Sequence, residues 1–320
     1  MGGDAPASLR VRGAFFFVGS MKITGGSIFL AAAAFVAFAS APARQVTDQT
    51  GRRVNIPENP QRLISLAPSI TEIVYALGLG DRLVGDTDYC DYPPEAKRKP
   101  HVGAMLNPSL EKIVALKPDL VLGTVEANRR ATVDQLERLG LPLYGLTARN
   151  LDETLHSIED VSSVLGRAEV SQKLVASLRA RIDAVEKRVS GQKRPKVLFV
   201  VWDRPLITAG PQTFIADVIA RAGGASISQD LRGDWPRLGL EEVLRREPDV
   251  ILLPRTESFS SSLEDFRKLP GWRDLRAVRE GRLYFVSETI MRPCPRLVDA
   301  LEEVAAILHP VEKTGARGPA

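Results

Sequence analysis

Two periods alternate in the apolar residues of the chain, and their order predicts its architecture. Val46, Val54 and Ile56, set around Gly51, predict a small hairpin. Residues 62–66 carry a short apolar run read as a strand, and a helix opens at Pro68. Ser69 and Glu72 then stand three apart, the spacing of a capping box. Ile73, Val74 and Leu77 continue an apolar face until Gly78 and Gly80 stop it. A strand-like stretch over 83–85 and a loop over 88–94 follow. Residues 110–122 predict a helix and then a strand, 133–139 a helix and 143–146 a strand. Strands alternating with helices place the chain in the α/β class, with mostly parallel sheets covered on both faces.

The middle of the chain reads differently. Val170, Leu174, Leu178, Ile182, Val185 and Val189 keep helical spacing through residues 168–189, roughly 33 Å at 1.5 Å per residue. Neither Gly nor Pro interrupts the run, and Gly191 and Pro195 end it, which predicts a stiff connector. Strand and helix signals resume at 197–201 and run to Leu308. An internal repeat relates the two stretches: Glu111, Pro118 and Asp119 each have a counterpart 130 positions later, at Glu241, Pro248 and Asp249. In both copies a short helix gives way at proline to an aspartate and a buried strand. The unit is common in α/β proteins, but the matched offsets favour duplication. They predict two Rossmann-like lobes with parallel sheets, joined by a single long backbone helix. The expected boundaries are an N-terminal lobe over 44–166, a connector over 167–191, a C-terminal lobe over 192–310 and a disordered tail over 311–320.

Composition narrows the class. The chain has 320 residues, 44% hydrophobic and 26% charged, enough for two ordinary globular domains. Its net charge of +4 is spread without a basic stripe, which excludes a nucleic-acid partner. The first residues have their own signature: Met21-Lys22, an apolar run over 28–39, then Ser40-Ala41-Pro42-Ala43. This predicts a secretory signal peptide over 1–43, with residues before Met21 as a misassigned start. The run falls short of the ~20 residues that span a bilayer. No cysteine follows it, so a lipid anchor is not expected. The mature protein is expected to be exported.

The segments Ser65-Leu66-Ala67-Pro68-Ser69-Ile70-Thr71-Glu72 and Asp91-Tyr92-Pro93-Pro94, with residues 110–121, resemble the periplasmic cobalamin-binding proteins of ATP-binding cassette importers. Those group with haem- and ferric-siderophore-binding proteins as class III periplasmic binding proteins. The resemblance covers roughly residues 45–310. It implies a monomer with no intrinsic cofactor that carries cobalamin or a related corrinoid to a permease dimer with its ATPase subunits. Haem or a ferric siderophore is the alternative ligand. A sensor, or a metal-cofactor enzyme on the same scaffold, is more distant. Glu111 and Glu241 match the acid that the family places on each lobe to engage arginines of the membrane subunits. A carboxylate early in a helix suits that role and also steadies its own helix.

For the cleft, Tyr89 and Trp235 match ligand-contacting aromatics of the family, and Glu288 and Arg292 its polar cleft residues. Met105 replaces a tryptophan of the cobalamin pattern but can still pack on a macrocycle edge. Trp202, after the first strand of the second lobe, joins the set, since flat rings bury much area at little rotamer cost. Ordinary packing is the alternative for each aromatic, and Trp272 reads as structural. Cys90 and Cys294 leave three readings open: a disulfide across the ligand path, two free thiols, or coordination of a metal or ligand. His101, His156 and His309 lack metal-ligand spacing; His101 is a candidate axial haem ligand and Tyr89 a better one. No phosphate-cradling loop, nucleophile elbow or redox motif occurs, so no catalytic residue is assigned and an enzyme is not expected.

Overall fold

In each half an aspartate clamps the first strand to the central one. In the computed structural model, which describes residues 43–124, 128–256 and 263–310, the Asp119 carboxylate accepts from the amides of Gln61 (2.8 Å) and Arg62 (3.0 Å). Its own amide donates to the Arg62 carbonyl. Asp249 repeats the pattern on Lys196, accepting from its amide at 2.8 Å and donating to its carbonyl. Just upstream, Lys117 and Glu247 both take a φ of 47°, a left-handed conformation that residues with a Cβ seldom adopt. The same unusual backbone at matched positions is what a duplicated unit leaves behind.

The hairpin forms as β1 (Ala43–Thr47) and β2 (Arg53–Pro57), antiparallel about Gly51, whose φ of 81° the turn needs. β3 (Leu63–Ser65), α1 (Pro68–Ala76) and β4 (Leu83–Gly85) follow. A small ribbon, β5 (Gly103–Ala104) with β6 (Asn107–Pro108), precedes α2 (Leu110–Ala115), β7 (Leu120–Thr124), α3 (Arg130–Arg138) and β8 (Leu143–Leu146). The first sheet is parallel throughout, in the order β4-β3-β7-β8. α4 (Leu151–Leu165) turns at Gly166 into the connector α5 (Ala168–Val189). The second half runs β9 (Lys196–Asp203), β10 (Leu206–Thr208), α6 (Phe214–Arg221), β11 (Ala225–Ser226), α7 (Leu240–Arg246) and β12 (Val250–Arg255). It finishes with α8 (Leu263–Lys268), α9 (Arg276–Arg279), β13 (Leu283–Ser287) and α10 (Leu297–Leu308). Its strands are parallel except β10, which folds back on β9. Residues 1–42 of the expected signal peptide and the expected tail lie outside the described residues, and Ala43, the last residue of that expected leader, begins β1. Among the described residues no helix is long and apolar enough to cross a membrane.

One expectation fails at α1. Ser69 and Glu72 make no capping box: Ala67 is the N-cap, without a side-chain bond, and Pro68 opens the first turn. Proline removes a donor there in any case, and Glu72 is taken by residues more than 200 positions away.

The core explains why the halves hold together. A cluster under α2 and α3 packs one face of the first sheet through Ile64, Val121, Ile113 and Leu136. Another covers one face of the second sheet, with Leu198, Val200, Phe266 and Trp272; the last two meet edge to face at 5.0 Å. The largest cluster belongs to both halves. It joins Leu122 and Phe199 of the two sheets to Ile73 of α1, Ile158 of α4, Leu178 and Ile182 of α5, Val218 of α6 and Leu301 of α10. The connector is therefore one layer of a common core rather than a free rod. Moving the lobes apart means unpacking that layer, which close packing resists more strongly than helix stiffness alone.

Candidate functional site

Loops at the C-terminal ends of parallel strands are where an α/β sheet offers its side chains, and here the two sets of loops face each other. After β13, Arg292 forks onto Asp91 of the loop after β4, and reaches Glu72 and Glu288 at 3.3 Å each. Arg296 holds the buried Glu72 with two bonds of 2.7 and 2.6 Å, and the Cys294 thiol donates to it at 3.0 Å. At the other sheet edge, the Leu151 amide that starts α4 donates to Asp217 of α6 at 2.8 Å. Arg149 bonds Gln212 at 3.2 Å, and Arg221 pairs with Asp152. The two seams obey one rule: an acid on the first helix of each lobe, Glu72 or Asp217, secures the start of the last helix of the other. A cavity of about 730 Å³ opens at the second seam, between Arg149, Asn150 and Glu153 of one lobe and Gln212, Thr213 and Gln229 of the other.

Three aromatics rise from these facing edges: Tyr89 (55% exposed), Trp202 (43%) and Trp235 (46%). The Tyr89 loop is fastened beneath. Asp86 is buried with His101 Nδ1 2.7 Å from its Oδ1, and the Cys90 thiol sits between the hydroxyls of Thr71 (3.1 Å) and Thr87 (3.2 Å). A bulge decides which way Trp202 faces. Thr208 pairs with Val200 but Ile207 with Trp202, so Val201 is an extra residue and the pleat changes phase. Val200 stays in the second lobe's own cluster, while Trp202 turns to the face that carries Phe199 and Ala209 of the shared core. Its indole nitrogen donates to the Arg204 carbonyl at 2.9 Å, leaving the ring face free.

The other sequence-derived residues fall in three groups. Met105 lies half-buried against the shared core, its carbonyl held by Asn128 at 2.9 Å, while the neighbouring Leu106 stands 52% exposed. Arg292 and Glu288 form part of the first seam. Burial works against the Arg292 charge, but Asp91, Glu288 and Glu72 outweigh it and keep the guanidinium protonated. Burial raises the Asp91 carboxyl in turn, yet Arg292 holds it below its usual range. Glu111 and Glu241 are exposed in the first turns of α2 and α7. Both helices feed parallel strands, so both acids lie at the edge toward which the strands point. Ser109 caps α2, accepting from the Lys112 amide at 3.3 Å.

Cys90 and Cys294 are buried free thiols. Burial and the Glu72 charge push the Cys294 thiol well up, so it serves as a hydrogen-bond donor rather than a nucleophile. Sequence reasoning missed Glu72, Asp91 and Asp217 as the bolts of the seams. Their partners are far along the chain, and no local signal marks them.

Asp86 gives the loop a pH signature. Burial lifts its carboxyl from 3.8 to about 6, against the pull of His101. A raised folded-state value contributes stability that is whole below about pH 4 and lost as pH rises through about 6. Relative to Asp86→Asn, the wild type is expected to lose up to about 3 kcal/mol between pH 4 and 7. Urea unfolding of both proteins across that window checks it. A constant difference between them would contradict the assignment.

Comparison with known proteins follows the same lines. Residues 63–289 match the family model described as periplasmic binding protein. A vitamin B12-binding protein of Vibrio cholerae is 30% identical over 259 residues, covering 80% of this chain and 92% of the relative. The crystal structure of the periplasmic vitamin B12 binding protein of Vibrio cholerae superimposes with a TM-score of 0.70 at 30% identity, covering 79% of this chain and 98% of that one. The periplasmic heme-binding protein of Roseiflexus sp. RS-1 does so with a TM-score of 0.71 at 30% identity, covering 78% and 97%.

Proposed function

The chain belongs to the periplasmic binding protein family, and we propose on that premise that it captures a corrinoid between its lobes and hands it to an ATP-binding cassette permease. It works by binding and release, with no catalytic step. The carrying observation is the set of aromatics on facing edges. Of eight exposed large apolar side chains among the described residues, Tyr89 and Leu106 rise from the first lobe's edge and Trp202 and Trp235 from the second's. Rings left in water on both sides of one opening fit a flat, bulky guest. The named relatives, at 30% identity, favour a corrinoid. Haem is the second reading, supported by the haem-binding neighbour and by the free phenol of Tyr89 as a possible iron ligand.

In this reading Arg292 and Glu288 form one wall of the cleft. Met105 backs it from the core, and Leu106 supplies the outer contact. Glu111 and Glu241 dock one to each membrane subunit of a permease dimer with its ATPases, and the carrier works as a monomer. It reaches the periplasm through a cleaved leader over 1–43. Titration of the purified protein with cyanocobalamin, dicyanocobinamide and haemin, followed by absorbance and calorimetry, tests the ligand. The corrinoids are expected to bind tightest, and Trp235→Ala to weaken them about 30-fold, as for an aromatic hot spot. Haemin uptake with no response to either corrinoid would reverse the order of the two readings.

A further inference from the structure

A row of side chains on the second lobe sets an unpaired cation beside the exposed rings. Ile207 stands opposite Trp202 across the hairpin and on its other side bridges Arg237. Around that bridge the Thr208 amide donates to the Pro236 carbonyl (3.1 Å) and the Leu238 amide to the Leu206 carbonyl (3.0 Å). Ile207 and Arg237 are therefore a non-hydrogen-bonded antiparallel pair, whose side chains stand close on one face. Trp202, Ile207 and Arg237 share that face, the outer two about 10 Å apart at their Cα atoms. Trp235, two residues before Arg237, returns to it. The opposite face is accounted for by Leu206 and Leu238, both buried in the second lobe's own cluster.

Arg237 is exposed. Among the described residues it has no ion pair or hydrogen bond, whereas the fork of Arg292 is filled by three carboxylates. An arginine level with two indoles, with no acid to neutralise it, offers a planar fork to an oxyanion. The second-lobe edge thus has a surface for a ring and, beside it, a charge for something on the ring's periphery.

We infer that Arg237 is a ligand-contacting residue that binds an anionic oxygen group at the edge of the guest while Trp202 and Trp235 cover its ring. The inference rests on the corrinoid reading, in which that group is the phosphodiester of the nucleotide loop. Cobalamin carries this group and cobinamide lacks it, so Arg237 is the residue that separates the two.

The test is calorimetric titration of wild type, Arg237→Gln and Arg237→Lys with cyanocobalamin and dicyanocobinamide. Arg237→Gln is expected to raise the cyanocobalamin Kd about tenfold, the worth of a charge-assisted bond, and to leave the cobinamide Kd within about twofold. Arg237→Lys keeps the charge without the fork and is expected to fall between. Added salt should narrow the wild-type preference. Equal changes for both ligands, or none for cyanocobalamin, overturn the role of Arg237. Wild type that binds neither corrinoid, or takes haemin alone, overturns the corrinoid reading itself, and that result is read without any variant.

Discussion

Glu72→Ala is expected to lower the melting temperature by roughly 10 °C. Glu72 is buried on α1, and the groups it faces come from the far end of the chain: both arms of Arg296, one of Arg292, and the Cys294 thiol. Truncating it strands two guanidinium groups in a half-buried seam with one carboxylate fewer. Breaking a buried pair in this way costs about 3–5 kcal/mol, much of it the desolvation of the charge left behind. Glu72→Gln keeps the volume and one acceptor, so a smaller loss is expected. Glu242→Ala is a useful contrast. Its partners Arg245 and Arg246 lie on the same helix at the surface, and its removal should cost far less than that of Glu72. Thermal and urea unfolding of the three variants measure the order. A Glu72→Ala protein that melts within 2 °C of wild type would falsify the view that this carboxylate bolts the lobes.

The seam shows where sequence reading ran out. The repeat was visible because Glu, Pro and Asp recur at one offset, and each serves a local purpose: helix start, helix stop, strand clamp. The connector was visible because six apolar residues keep its period, and all but Val170 and Leu174 are buried. Glu72 was misread because the local pattern, Ser three residues before Glu at a helix start, is the one a capping box uses. What decides its role is Arg296, brought near only by the finished fold. Trp202 is a similar case. Alternation from Leu198 and Val200 carries it onto the face of the second lobe's own cluster, and the extra residue at Val201 turns it to the opposite face. A bulge has no residue signature here. The shared core was equally silent, because an apolar position says that it is buried and not in whose company.

Reversing both acids proposed to dock, Glu111→Lys with Glu241→Lys, is expected to abolish uptake in cells while leaving ligand affinity within about twofold of wild type. Both side chains are exposed at first-turn positions of α2 and α7. Folding loses only the helix-dipole contribution, about 0.3–1 kcal/mol per helix, doubled at most by the new charge. The proposed docking loses far more, since a membrane-subunit arginine facing lysine would exchange attraction for repulsion, at about 2–5 kcal/mol per desolvated site. Two such sites on one rigid body add, because the shared core and the seams keep the acids at a fixed separation and each contact presents the other at high effective concentration. A single reversal should therefore leave measurable transport and the double reversal none. The comparison of single with double variants carries the weight: if each single change already abolishes uptake, the sites do not act as a pair. If the double variant loses ligand instead, the acids belong to the cleft and not to the membrane face.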